Sequence, residues 1–254
     1  DLNYNNRLNI SFNQASQNLH MLSNSSVGIP SDMWIPANKN LEPEVMRQLA
    51  VGYEWNKLDR QYTFSMEAFY RKSDHIIDFK DDVNIFMNNL IEKEVEQGEA
   101  ESYGVEFYLS KNKGDLTGWA SYTLSHVRNR LANLKLFLNY NINKRWSLSS
   151  TFSYCSGMNL TLPVGKYEFQ GALLYIYSSR NGYRAPAYHQ LDLSAAYRMK
   201  KGTLTCSIIN LYNRKNVFSI YAGRGDVHYS MDAAKTYKIY LYGIVPSITY
   251  SFEF

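Results

Sequence analysis

With 254 residues and a net charge of +4, the chain is long enough for one large domain or two small ones, and too mildly charged to argue for nucleic acid. Its mean hydropathy of −0.40 and the lack of any apolar run near ~18 residues exclude a helical membrane protein. A membrane β-barrel survives both tests, because lipid-facing and lumen-facing residues average out in any hydropathy window.

From its start the chain alternates with a period of two, which puts one greasy and one wet face on a strand. Leu2, Tyr4, Leu8, Ile10 and Phe12 alternate with Asn3, Asn5, Arg7, Asn9 and Ser11. No leader sequence precedes Asp1, so the start is expected to be processed or cut. After a long segment, 15–44, the pattern resumes at Val45, Leu49, Val51, Tyr53 and Trp55, then at Tyr62, Phe64, Met66, Ala68 and Tyr70. Tyr103, Val105, Phe107 and Leu109 follow, then Leu116, Ala120, Tyr122 and Leu124. Leu134, Leu136, Leu138 and Tyr140 precede Trp146, Leu148, Phe152 and Tyr154. Leu191, Leu193, Ala195 and Tyr197 lead to a long strand begun by Leu204, Cys206 and Ile208. One last strand is predicted from Tyr237 to Phe254, with a bulge or bend at Gly243 and Pro246. About ten strands of membrane-spanning length result, and no segment has a helical period, so the expected fold class is all-β.

Connection length adds a second signal. Asn56-Lys57-Leu58-Asp59-Arg60, Asn112-Lys113-Gly114, Asn143-Lys144 and Met199-Lys200-Lys201-Gly202 are tight polar turns. Segments 15–44, 80–98, 156–187 and 223–235 are long and alternate with them; 129–131 is short where a long one is due. Short turns on one side and long loops on the other indicate an antiparallel up-and-down transmembrane β-barrel in the bacterial outer membrane. Tyr250, Phe252 and the carboxy-terminal Phe254 then form a barrel-assembly signal at the periplasmic rim. The 22 Tyr suit interfacial girdles, with the ring in lipid and the hydroxyl in water.

Several stretches resemble TonB-dependent outer-membrane receptors. They are Ser102-Tyr103-Gly104-Val105-Glu106-Phe107 followed by Gly114-Asp115-Leu116-Thr117-Gly118-Trp119-Ala120-Ser121-Tyr122-Thr123-Leu124-Ser125; Arg184-Ala185-Pro186-Ala187-Tyr188-His189-Gln190-Leu191-Asp192-Leu193-Ser194; Asn210-Leu211-Tyr212-Asn213-Arg214-Lys215-Asn216; and the aromatic terminus. The resemblance implies an amino-terminal plug inside a barrel of about 22 strands. Residues 1–254 are accordingly expected to be the carboxy-terminal half of such a barrel, since no stretch resembles the plug or a TonB-contacting box. The short 129–131 connection departs from the family, whose members usually carry a longer extracellular loop there.

The implied function is TonB-dependent import of a bulky scarce nutrient, whether siderophore, haem, corrinoid, oligosaccharide or peptide. Expected partners are the lipid bilayer and lipopolysaccharide, the chain's own plug, the TonB complex through that plug, and a surface lipoprotein as an optional one. The alternative is a small self-contained barrel acting as a passive pore or surface protease; a soluble β-sandwich is the third option.

Arg7, Arg47, Glu67, Arg71, Glu106, Lys135, Arg145 and Asp192 are assigned to the polar strand faces, where they either hold a plug or form a solvated channel wall. Trp34, Tyr167, Phe169 and Tyr183 in long loops are candidate ligand contacts, with strand extension above the membrane as the competing reading. No catalytic residue is assigned. Asp74-His75 and Asp81-Asp82 are acidic and histidine pairs at a strand's outer end, and no Ser sits in a Gly-x-Ser-x-Gly elbow. His20, His75, His126, His189 and His228 lack metal-ligand spacing. Cys155 and Cys206 match no zinc or redox motif, and Cys206, on a predicted greasy strand face, reads as a small buried apolar group. No cofactor or metal is expected.

Overall fold

A computed structural model describes residues 5–22, 33–80, 93–127, 129–157, 159–169, 172–179, 182–223, 235–240 and 242–252. In chain order the strands are β1 (Asn6–Gln17), β2 (Leu19–Leu22), β3 (Met33–Pro36), β4 (Glu44–Lys57), β5 (Tyr62–Phe79), β6 (Val95–Lys111), β7 (Leu116–Val127), β8 (Asn129–Asn141), β9 (Trp146–Cys155), β10 (Asn159–Leu160), β11 (Pro163–Phe169), β12 (Ala172–Tyr177), β13 (Tyr183–Arg184), β14 (Tyr188–Met199), β15 (Gly202–Ile209), β16 (Val217–Gly223), β17 (Lys235–Tyr240) and β18 (Val245–Phe252). Ten form one sheet in the order β1-β4-β5-β6-β7-β8-β9-β14-β15-β18. Every pairing in it is antiparallel, so the chain runs up and down as the alternation predicts. Among the described residues β1 and β18 each have one neighbour in the sheet, which is therefore open.

Register keeps one apolar face continuous. Leu8 lies opposite Tyr53, Tyr53 opposite Met66, Met66 opposite Phe107, Phe107 opposite Tyr122 and Tyr122 opposite Leu134. A one-residue slip would turn a whole strand's apolar set to the wet face, so the pattern itself selects the register. Among the described residues nothing covers that face: Ile10 stays 71% exposed and Ile248 76%. A contiguous apolar wall of this extent is stable against lipid and not against water.

The short connections are 58–61, 112–115, 142–145 and 200–201, all at one end of the sheet. Leu58, Asp59 and Arg60 turn the first with φ of 51°, 54° and 59°. Gly202 follows the last at φ 153°, and a Cβ there would come 2.4 Å from the Ser251 carbonyl oxygen. At the other end the hairpins β2–β3, β11–β12 and β16–β17 and the bridge β10–β13 occupy the long connections. Tyr167 and Phe169 therefore lie on a strand extension, one of the two readings of that loop. The connection expected at 129–131 is strand instead: Asn129, Arg130 and Leu131 open β8 opposite Val127, His126 and Ser125, and only residue 128, outside the described residues, separates β7 from β8.

Two strand expectations need correction. The segment from Tyr237 is not one strand: β17 pairs with β16, and β18 begins anew at Val245 and pairs with β15. Asn213 Oδ1 accepts the Ile244 N–H (3.0 Å), which pins the break next to Gly243. Pro246 lies inside β18 opposite Ile208, at the sheet's edge, where a missing N–H is tolerated. The strand begun by Leu204 ends at Ile209, because Asn210 turns the chain at φ 55°. Leu2, Tyr4, Asp81, Asp82, His228 and Phe254 lie outside the described residues.

Beyond the apolar belt a small core forms between loops. Leu22, Ile35, Leu41 and Val95 are buried together, with Ile77 against them, and join the β2–β3 hairpin to the tall β5–β6 pair. His20, 2% exposed, and Gln97 both donate to the Glu42 carbonyl at 3.0 Å. His75 sits in a bulge at φ 60° and meets the Pro43 carbonyl at 3.2 Å through Nδ1.

Candidate functional site: the inner wall

The polar faces of the ten strands make one surface, the inner wall. On β5 and β6, Glu67 lies directly opposite Glu106. Like charges across an antiparallel pair destabilise it, and no ion pair is described for either carboxylate. Gly52 faces Glu67 on β4, and a Cβ there would stand 3.3 Å from Glu67 Oε2, so the glycine gives this carboxylate its room. Nearby, Glu54 accepts from Asn56 (2.7 Å) and lies across from Arg7. Arg71 donates to Gln48 Oε1 from Nε (2.9 Å) and from Nη2 (2.7 Å), and stands 6.0 Å from the Phe69 ring.

The remaining assigned charges separate by role. Lys135 faces Ser121 and Ser153 on the inner wall. Asp192 accepts the Asn210 N–H (2.8 Å) and Gln190 Nε2 (2.9 Å), so its carboxylate braces the sheet's outer corner. Arg145 sits in the 142–145 turn beside a polar recess of about 430 Å³ that Asp115, Arg198 and Thr203 also line. Arg47 belongs to the other face: it shares the parity of Leu49 and Val51, and lies opposite Gln14 and Lys72. It is stable there because it sits past the apolar belt in an ion-pair chain, Arg47–Asp74 (2.6 Å), Lys72–Asp74 (3.4 Å) and Lys72–Glu99 (2.8 Å). Burial opposes ionisation of Asp74, but contacts with Lys72 and Arg47 outweigh it and hold its carboxyl below the ordinary value.

Sequence reasoning missed a ring stack. Tyr108, Trp119 and Phe137 sit on three neighbouring strands with successive centroids 6.3 Å apart. The signal was present, since all three are aromatic at positions whose parity predicts polar residues. It also missed the corner behind Asp192. Asn210, 2% exposed, donates through Nδ2 to the Arg214 carbonyl (2.9 Å) and accepts the Arg214 N–H (2.9 Å). Arg214 reaches Asn216 and the Ala187 carbonyl; Asn216 donates to the His189 carbonyl. Burial raises the Tyr212 phenol above its ordinary value, and its oxygen lies 2.7 Å from His189 Nδ1.

The candidate ligand aromatics are dispersed. Trp34 is 54% exposed on β3 opposite Met21, and Tyr183 is half-buried on β13 opposite Leu160. Tyr167 and Phe169 pair through their backbones with Leu174 and Ala172. Tyr250 and Phe252 have centroids 6.0 Å apart near the 200–201 turn, where Tyr250 donates to the Lys201 carbonyl (3.3 Å). His75 faces Glu42 at 3.5 Å while Asp74 holds Arg47 and Lys72, so the two neighbours serve different contacts. Among the described residues no group of three or more His, Cys, Asp and Glu could hold a metal.

A meander with one bare apolar wall, one polar wall and loops sorted by length defines a stretch of bacterial outer-membrane β-barrel. The family described as TonB dependent receptor-like, beta-barrel matches residues 3–211, and the chain belongs to it. Among solved structures it is similar to the pyoverdine outer membrane receptor FpvA from Pseudomonas aeruginosa PAO1 bound to pyoverdine, with TM-score 0.60 and 15% identity over 100% of this chain and 35% of that one. It is similar to a ferric enterobactin receptor mutant of Pseudomonas aeruginosa in complex with enterobactin, with TM-score 0.54 and 15% identity over 84% and 34%. It is also similar to the ferric-catecholate import receptor Fiu from E. coli K12, with TM-score 0.53 and 14% identity over 85% and 30%. At such identities the likeness establishes the fold, and the chain spans about a third of the length of these receptors. No curated protein matches it.

Proposed function

We propose that this chain is the carboxy-terminal wall of a plugged receptor that actively imports a bulky scarce nutrient, an iron–siderophore complex foremost. The observation that carries the reading is the Glu67–Glu106 pair: two facing carboxylates without a described ion partner, on a wall where Glu54, Arg71 and Asp192 are held by hydrogen bonds from or to neighbouring groups. A cationic plug surface would neutralise them, and Arg7, Arg71 and Lys135 offer the opposite sign around it. Family membership supports the plug and the TonB complex that would act on it. The siderophore class is suggested by the pyoverdine, enterobactin and ferric-catecholate receptors of like fold. Loop aromatics such as Trp34 would meet the solute first, and lipid with lipopolysaccharide would surround the apolar wall. In this reading the wall binds and guides, and no bond in the solute is made or broken.

The test is uptake of an iron-55 siderophore by cells carrying the full receptor, before and after collapse of the proton gradient. Saturable uptake that stops on collapse is expected. Uptake that persists would identify a passive pore, and peptide cleavage without uptake a surface protease.

A further inference from the structure

The apolar wall is not evenly bulky. Ser150, Ala195 and Cys206 lie on the neighbouring strands β9, β14 and β15 with the parity of the lipid face. Ala195 stands between Leu148 and Cys206, and Ser150 between Leu138 and Leu193. These short side chains leave a furrow of about 720 Å³ walled by Leu138, Leu148 and Ile248. It lies a few residues from the short turns, above Trp146, Tyr197 and Tyr250, and hence in the leaflet on the short-turn side.

The turns beneath it are unlike the other two. Lys144 and Arg145 occupy 142–145, Lys200 and Lys201 occupy 200–201, and all four are exposed. Because β9 and β14 are neighbours, these turns are adjacent. The other two carry one charge of each sign, Asp59 with Arg60 and Lys113 with Asp115, and Lys113 lies 3.5 Å from Asp59. With Lys57 at its edge the first turn also has one cation in excess, but two adjacent turns without an acidic residue occur only below the furrow.

We propose that the furrow and the 200–201 turn hold one anionic glycerophospholipid, with an acyl chain in the furrow and the phosphate at Lys200 and Lys201, since Lys144 and Arg145 also line the polar recess on the inner side. The surrounding bilayer is already apolar, so the furrow supplies fit and dispersion contact instead of transfer energy. The cations supply the discrimination between headgroups, as basic residues do at charged membrane surfaces. The proposal rests on the membrane setting alone and stands or falls apart from the import reading.

The test places the receptor in nanodiscs of equal phosphatidylglycerol and phosphatidylcholine and reads retained lipid by native mass spectrometry. Phosphatidylglycerol should be retained about tenfold over phosphatidylcholine, and K200Q/K201Q should erase that preference. Ala195→Phe, which keeps the lipid face apolar, should lower retention with the cations intact. Equal retention of both lipids, or retention unchanged in both variants, overturns the proposal. A measurement that needs no furrow or turn variant follows Cys206 in a Cys155→Ser background. A lipid-soluble maleimide should label it more slowly in phosphatidylglycerol than in phosphatidylcholine, and equal rates overturn the proposal.

Discussion

The inner faces of β4 to β6 and of β9 to β18 share one period and one register rule, yet carry different chemistry. The first holds Glu54, Glu67, Arg71 and Glu106. The second runs through a row of serines, in which Ser149 faces Ser194, Ser194 faces Ser207 and Ser207 faces Ser247. A hydroxyl can donate and accept locally, as Ser149 does toward Asn139 (2.9 Å), and needs nothing from the lumen. A carboxylate opposite another carboxylate does need something. The difference teaches that the two halves present unlike surfaces to the lumen, and under the proposed reading a plug would be held by the charged half and accommodated by the hydroxyl half.

Reversing the gripping side should have the largest effect. Glu67→Lys with Glu106→Lys should lower siderophore uptake by at least about tenfold, because a cationic plug would then meet like charge. Ser194→Ala with Ser207→Ala should leave uptake within about twofold; equal losses from both pairs would erase the contrast between the halves.

Next in size is the brace of the hydroxyl half. Asn210→Ala strands two Arg214 backbone groups and places alanine at a left-handed φ, which should cost roughly 2 kcal/mol. The readout is the urea midpoint of the receptor in vesicles. An unmoved midpoint would mean that this half needs no brace at its corner.

The smallest effect belongs to the ion-pair chain past the apolar belt of the charged half. The folded state holds the Asp74 carboxyl below its ordinary value, so its stabilisation is present above the unfolded value and lost as pH falls through the folded one. Asp74→Asn should therefore lower the thermal midpoint at pH 7, and the gap from wild type should close below about pH 4. A gap that widens in acid would assign Asp74 a different role.

Much of this was legible in the sequence, because a barrel wall writes its two faces into alternate residues. Nine of the ten sheet strands and the four short turns follow from that pattern and from Asn, Lys and Gly in the turns. The final strand was misjudged because alternation continues through β17 and β18 although their partners differ; only Asn213, distant in sequence, reveals the break. Arg47 was misplaced because a charge was taken to mark the inner face, whereas past the belt an outward charge meets Asp74 and water. The Glu67–Glu106 opposition lay beyond sequence reading, since it depends on the pairing offset between β5 and β6. The Asn210 corner depends on contacts from Ala187 to Tyr242 and was visible only as a motif without its wiring.

The core between β2–β3 and β5–β6 has a calorimetric consequence. Four of the six buried apolar side chains among the described residues lie in it: Leu22, Ile35, Leu41 and Val95. The apolar wall exchanges lipid for lipid when its strands come and go within the bilayer, so little of its greasy area meets water. The loop core does meet water when it opens, and water released from apolar surface carries the heat-capacity signature of folding. Its stability should curve with temperature as a small soluble domain's does and weaken on cooling. The strands beneath it need not follow that curve, so the chain carries two thermal personalities in one fold.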